Sequence, residues 1–512
     1  MSNARYAPLA MDAVEFRTAG HALVDALAEF LDTQAERPVT MSASPDAVRA
    51  LVDAGRPLPE SGAAAADLLA STAQLLFGHS LFNGHPRFFG YITSSPAPIG
   101  MLGDLLAAAV NANVGAWRLA PVATEIEAQA VRWIGELVGY GSDSGGLFVS
   151  GGNMANIVGI IAARSAAANW DVRAEGVAGP SSQPLRIYAT AETHTWIHKA
   201  ADLAGLGTDA IRWIPTDEGL RMDVAALRVA LDQDRAQGAT PLAVVATAGT
   251  VSTGAVDPLF AIADACSETG AWLHVDGAYG ALAACVPGTP QDLGALRLAH
   301  SVAVDPHKWL YAPLEAGCLL VRDAQTLHGA FAYHPPYYHF GQQATNYSEY
   351  GPQNSRGFRA LKVWLALRHA GRDGYVRMIG DDIRLSRRLH DLAAAHPSLE
   401  ACTQGLSITT FRYLPPDLRR SVGTPATDAY LDALNLDLLE LIQSSGDAFV
   451  SNAVVHGRYL LRACIVNFHT RDEDVDALPG IVARLGAELD TARRSPLHLP
   501  ARGRAEATQL WS

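Results

Sequence analysis

From Gly146 to Val321 the chain alternates short apolar runs with helical stretches, and no other feature narrows its fold as far. The runs at 147–150, 185–190, 211–214, 243–247, 272–276, 302–304 and 318–321 read as strands. They are rich in small and β-branched residues and nearly free of polar interruptions. A strand with one wet face alternates polar and apolar positions, and these do not. Both faces must therefore be covered. The stretches between them, including 154–167, 224–235 and 259–268, carry helical spacing and supply the cover. The expected core is a mostly parallel, seven-stranded α/β sheet with crossover helices. In such sheets ligands gather beyond the carboxyl ends of the strands.

The residues just past those ends carry the chemistry. Residues 301–316 read S-V-A-V-D-P-H-K-W-L-Y-A-P-L-E-A. Pro306 has no N–H for a ladder and stops the strand. His307, Lys308 and Trp309 follow at once. An amine held between an imidazole and an indole is a poor solvated charge. It is a good covalent anchor, since an amine withdrawn from water can form a Schiff base with an aldehyde. A lone lysine after a strand is more often a surface residue, and upstream features decide against that reading.

Ser150-Gly151-Gly152-Asn153 lies between a strand and a helix, where glycines permit close approach and free N–H groups favour a phosphate. Asp276, in H-V-D-G-A-Y-G with Ala278, ends a strand, and a buried carboxylate there needs a cation. A protonated pyridine nitrogen would be one. His194, in A-E-T-H-T-W, offers a flat imidazole to a planar ring. Thr247 ends another strand and offers a hydroxyl. Each feature has an ordinary alternative: a plain turn, a structural aspartate, a core histidine. Together they give an aldehyde acceptor, a phosphate cradle, a pyridinium partner and a stacking group. That set would hold pyridoxal 5′-phosphate. The string S-D-S-G-G at 142–146 lacks the surroundings of a serine protease and reads as chance.

D-P-H-K-W, H-V-D-G-A-Y-G, S-G-G-N-M-A-N and the loop H-P-R-F-F-G-Y resemble the group II pyridoxal-phosphate-dependent amino-acid decarboxylases of fold type I, the aromatic-L-amino-acid decarboxylases above all. The resemblance runs from about residue 80 to 490. It implies that Lys308 carries the cofactor, Asp276 pairs its ring nitrogen and His194 stacks on the ring. Gly152, Asn153 and the neighbouring His307 would hold the phosphate. It further implies an intertwined homodimer, and a lid tyrosine that returns a proton to Cα. Counting back from F-R-A-L-K-V-W at 358–364 assigns that tyrosine to Tyr347. Tyr91, Thr93 and Trp117 are the expected substrate contacts. There are departures: Asp305 stands where aromatic members more often have asparagine, and 351–356 differs from their usual loop ending. Asn113 and Gly115 are smaller and less apolar than expected of an aromatic pocket.

The domain plan that follows has four parts. Residues 1–95 form a helical dimerisation segment, 96–375 the large cofactor-binding domain, 376–495 a small α+β domain and 496–512 a tail. Val14, Leu23, Leu27, Phe30 and Leu31 recur at helical spacing over 12–34, an apolar stripe that needs a partner surface. Residues 331–352 are long, aromatic and without period, as a lid would be. A net charge of −13 argues against a nucleic-acid partner. No 18-residue apolar run argues for a membrane span, and no apolar leader marks the first residues. The five cysteines are scattered and suit neither a metal site nor disulfides. A cytoplasmic location is the expectation.

The expected activity is decarboxylation of an L-amino acid, possibly aromatic, to an amine and CO₂. The alternatives are an aminotransferase, for which Arg462 could clamp a carboxylate, or an aldehyde synthase that deaminates oxidatively. A non-catalytic relative is a weaker fit, because the lysine, aspartate and histidine are all present.

Overall fold

The structure is a computed structural model, and it describes residues 7–141, 144–333 and 344–494. Ser142 and Asp143, much of the expected lid and the tail lie outside these residues.

The seven expected strands form one sheet: β1 (Gly145–Val149), β2 (Leu185–Thr190), β3 (Ile211–Ile214), β4 (Thr240–Thr247), β5 (Trp272–Asp276), β6 (Ser301–Val304) and β7 (Gly317–Val321). Their order is β1-β7-β6-β5-β4-β2-β3. Only β7 runs against its neighbours, β1 and β6. The interior of β4, β5 and β6 is fully buried, which is why those strands read as apolar without alternation. The helix Gly152–Ala167 packs across one face, and Val224–Ala236 and Leu259–Thr269 lie on β3, β4 and β5.

The carboxyl ends of β1, β2, β4, β5 and β6 therefore face one side. Register sets them beside one another: Thr247 on β4 is opposite Asp276 on β5, and Asp276 is opposite Ala303 on β6. The chain leaves β6 at Asp305 and enters a single helical turn, Pro306–Trp309, with Pro306 in the first turn where a missing N–H costs nothing.

The small domain is a second sheet of β8 (Leu399–Gly405), β9 (Ile408–Tyr413), β10 (Ser451–Val455) and β11 (Arg458–Cys464), antiparallel in the order β10-β11-β9-β8. The sequence reading missed β8, whose L-E-A-C-T-Q-G is too polar to signal a strand. Helices Pro425–Ser445 and Asp472–Arg494 cover one face of this sheet. One long helix, Ala360–Ala395, joins the domains, broken at Gly371 with φ 65°. Glycine adopts that backbone without strain.

At the N-terminus Ala13–Thr33 packs on Ala65–His79, with Phe30 and Phe77 stacked at 4.4 Å. The loop at 85–97 then threads between the domains. Phe89 donates its N–H to the Phe449 carbonyl at 2.7 Å, and Ala97 donates to that of Tyr311 at 2.7 Å.

Candidate active site

A cavity of 350 Å³ lies at the carboxyl ends of the large sheet. Gly152, Asn153, His194, Thr247, Asp276, Ala278, His307 and Lys308 all line it. Eight residues expected to act together thus meet at one place, from parts of the chain that only the parallel crossovers unite.

Lys308 stands on the turn after β6, its Nζ 3.0 Å from Oδ2 of Asp305. Asp305 is 2% exposed, and its other oxygen has no hydrogen-bond partner among the described residues. His307 Nε2 lies 3.6 Å from the same Oδ2. The His307 ring is fixed on its other side, where Nδ1 accepts the Ala316 N–H at 3.1 Å, while Ser94 Oγ donates to its carbonyl at 2.8 Å. Burial lowers the pKa of this imidazole, against the pull of Asp305.

Across the cavity the Asp276 carboxylate accepts the indole N–H of Trp196 at 2.6 Å and the backbone N–H of Ala278 at 3.2 Å. Among the described residues it has no ion pair, although it is 7% exposed. Thr247 donates its backbone N–H to Asp257 at 2.7 Å, but its buried Oγ1 has no partner among the described residues. His194 opens to solvent at the rim. Desolvation by its neighbours still lowers its pKa, so it is neutral at ordinary pH.

Gly152 shows what the glycine turn is for. A Cβ there would stand 2.7 Å from Asp305 Oδ2 and 3.2 Å from the Ala278 side chain. Only a residue without one lets the start of the helix come this close, leaving its first N–H groups free for an anion.

These observations fit pyridoxal 5′-phosphate. Lys308 offers an amine for its aldehyde, Asp276 an uncompensated carboxylate for its ring nitrogen, and Thr247 an orphaned hydroxyl. The turn at 150–153 offers N–H groups for its phosphate. No group of His, Cys, Asp and Glu among the described residues is arranged to hold a metal.

The remaining expected contacts stand elsewhere. Tyr347 stands apart from the cavity. Its ring is 3% exposed, packed with Val114, Leu147, Val149 and Leu327, and the Arg356 guanidinium lies 4.7 Å from its centroid. It does not line the cavity, and it sits in a packed 3₁₀ turn, Tyr347–Glu349. Counting from the following helix placed it by register, and register says nothing about burial. Tyr91 turns its exposed ring toward Phe449 at 6.0 Å, and Ile92 lines the cavity in its stead. Trp117 donates its indole N–H to Glu125 at 2.9 Å, away from the cavity, and the half-buried Thr93 does not line it.

Trp196 gains a place that the sequence reading did not give it, whereas Arg462, named there as a possible carboxylate clamp, does not line the cavity. Trp196 lines the cavity, and its signal was available: an indole two positions after His194, at the start of a helix. Arg462 is 2% exposed on β11, bonded to Ser451 Oγ at 2.9 Å and to the Tyr91 carbonyl at 3.3 Å. Its Nε and second terminal nitrogen have no partner among the described residues.

Comparison with known proteins agrees with this geometry. Residues 45–414 match the pyridoxal-dependent decarboxylase conserved domain. The chain is 31% identical to the aromatic-L-amino-acid decarboxylase of Bacillus atrophaeus over 91% of its own length and 94% of that protein's. It is 29% identical to the phenylacetaldehyde synthase of Petunia hybrida, covering 89% and 91%. Among solved structures it resembles Oryza sativa TDC with PLP and tryptamine, with TM-score 0.86 and 28% identity over 95% of this chain and all of that one. It resembles mouse CSAD with TM-score 0.87 and 27% identity over 93% and 99%.

Proposed function

The chain belongs to the pyridoxal-dependent decarboxylases, an amino-acid carboxy-lyase that uses pyridoxal 5′-phosphate, and from that premise we propose that its substrate is an aromatic L-amino acid and its product the corresponding amine. The observation that carries the reading is the pairing, across one cavity, of the Lys308 amine with an Asp276 carboxylate that no cation among the described residues compensates.

When bound, the cofactor supplies an electron sink for the pair of electrons left on Cα as CO₂ departs. The chain's residues do the rest. Lys308 is the anchoring amine, and its nitrogen takes or returns a proton. Asp276 holds a proton at the ring nitrogen, which keeps the sink charged. The neutral imidazole of His194 walls the cavity without adding a competing charge. Gly152, Asn153 and His307 bind and orient the phosphate end, and Thr247 offers its free hydroxyl.

The acting form is a homodimer. Val14 and Phe16 on the first helix are 67% and 62% exposed, and Leu102, Leu105, Leu106 and Val110 on the helix Pro98–Val110 are each more than half exposed. Apolar faces of that size call for cover, and a second copy supplies it. All five cysteines are free, four of them buried, in keeping with the reducing cytoplasm. Among the described residues no helix is long and apolar enough to cross a membrane.

The likeness to phenylacetaldehyde synthase supports a second reading, in which aldehyde, ammonia and peroxide replace the amine. One experiment separates them. Purified enzyme is given L-tryptophan, L-tyrosine and L-phenylalanine in air, and CO₂, amine, aldehyde and oxygen uptake are measured together. Amine matching CO₂ one to one supports the first reading. Aldehyde with oxygen uptake supports the second. No CO₂ from any aromatic substrate, with CO₂ from glutamate or cysteine sulfinate, overturns the aromatic assignment.

A further inference from the structure

Trp196 touches both groups that flank the ring site. It is 1% exposed, at the first position of the helix Trp196–Leu203. Its indole N–H donates to Asp276 Oδ2 at 2.6 Å. Its backbone N–H donates to Nδ1 of His194 at 3.3 Å. That bond leaves the ring proton of His194 on Nε2, because Nδ1 must accept.

The indole itself is held from behind. The imidazole of His274 meets it edge-on, with centroids 5.7 Å apart at 80°. Both nitrogens of His274 are engaged, by Ser301 Oγ and by Asn156 Oδ1, each at 2.7 Å. Trp272 donates its own indole N–H to Ser301 at 2.8 Å. Gly159 permits this packing, since a Cβ there would meet the His274 ring at 2.8 Å. Burial pushes His274 down to about 4, so the ring beneath the aspartate is uncharged and serves as scaffold. The donors on Asp276, an indole N–H and the Ala278 backbone N–H, cannot accept a proton in return. They match a carboxylate and leave its remaining lone pairs for one further partner in the cavity.

We infer that Trp196 is a positioning residue: its indole N–H aims the Asp276 carboxylate at the cofactor's ring nitrogen while its backbone N–H fixes the tautomer of His194. This rests on the reading of the cavity as the cofactor site.

The test is a double-mutant cycle on cofactor affinity. Wild type, Trp196→Phe, Asp276→Asn and the double variant are stripped of cofactor, and pyridoxal 5′-phosphate is titrated back, followed by its bound absorbance. Trp196→Phe keeps an aromatic ring and loses only the donor. It is expected to weaken affinity by about tenfold to a hundredfold, the loss of one hydrogen bond to a charged group. In the Asp276→Asn background the same change is expected to cost several-fold less, because the bond it removes no longer joins a charge. Equal losses in both backgrounds would show a packing role and overturn the inference, and so would no loss in the single variant. Should Trp196→Phe unfold, benzothienylalanine incorporated at position 196 replaces the N–H by sulfur in the same shape and is judged by the same comparison. A wild type that binds no cofactor fails differently, by removing the cofactor reading itself.

Discussion

The ε-amine of Lys308 rests 3.0 Å from the carboxylate of Asp305, three residues back on the same turn. The pair is intimate and lopsided: the Lys308 side chain keeps 20% of its surface, Asp305 only 2%, and one oxygen of Asp305 already lacks a partner among the described residues. Lys308→Ala is therefore expected to abolish turnover and also to strand a buried charge. Stability should fall by about 1–3 kcal/mol in urea unfolding, and adding Asp305→Asn should recover most of it. Retained decarboxylation in Lys308→Ala would remove the lysine from its role.

Asp276→Asn should lower kcat by about 10²-fold or more, and Asp276→Glu by far less. Asparagine presents an amide N–H to one of two groups, Trp196 and Ala278, that can only donate, and it cannot hold a proton at a ring nitrogen. Glutamate keeps the charge on a longer arm. Steady-state kinetics with saturating cofactor decides the matter, and equal rates would make Asp276 structural.

Asp382 links stability to pH. It is buried on the helix joining the domains and accepts the indole N–H of Trp309 and the hydroxyl of Tyr311, both at 2.8 Å. Burial pushes it up to about 7, above the ordinary value of about 3.9. The folded state thus binds a proton that the unfolded state releases. Its contribution is fully present below the unfolded pKa and is lost as pH rises through about 7. Wild type should lose on the order of a few kcal/mol between about pH 5 and pH 8, and Asp382→Asn should flatten that slope. Asp257, pushed up to about 6 by burial, acts with the same sign at the acid end, so the comparison must be variant against wild type. Urea midpoints at the two pH values test it, and an unchanged slope in Asp382→Asn would assign the pH dependence to other groups.

Tyr347→Phe is expected to leave the ratio of amine to aldehyde unchanged, since the ring lies in a core cluster and not in the cavity. Its stability cost should stay under about 1 kcal/mol, because the packing and the contact with Arg356 survive. Product analysis in air checks this, and aldehyde appearing only in the variant would return Tyr347 to the proton path.

The sequence by itself determined the sheet. Strands buried on both faces announce themselves by unbroken apolar runs, and all seven were legible within a few residues of their ends. It also determined the list of chemical groups, because a parallel sheet sends every strand end to one side, and Lys308, Asp276, Thr247, His194 and Gly152 each follow such an end. Local signals reach no further than a turn or a strand. Whether a side chain faces a cavity or a core depends on what distant segments bring against it, and that alone placed Tyr347 under Arg356 and turned Tyr91 toward Phe449. The same long-range packing set the Trp196 indole against Asp276, 80 residues on in the chain, and the Asp382 carboxylate beneath the lysine turn. Buried polar groups must find partners wherever the fold supplies them, so the motif named the reacting residues and the tertiary structure chose which neighbours hold them in place.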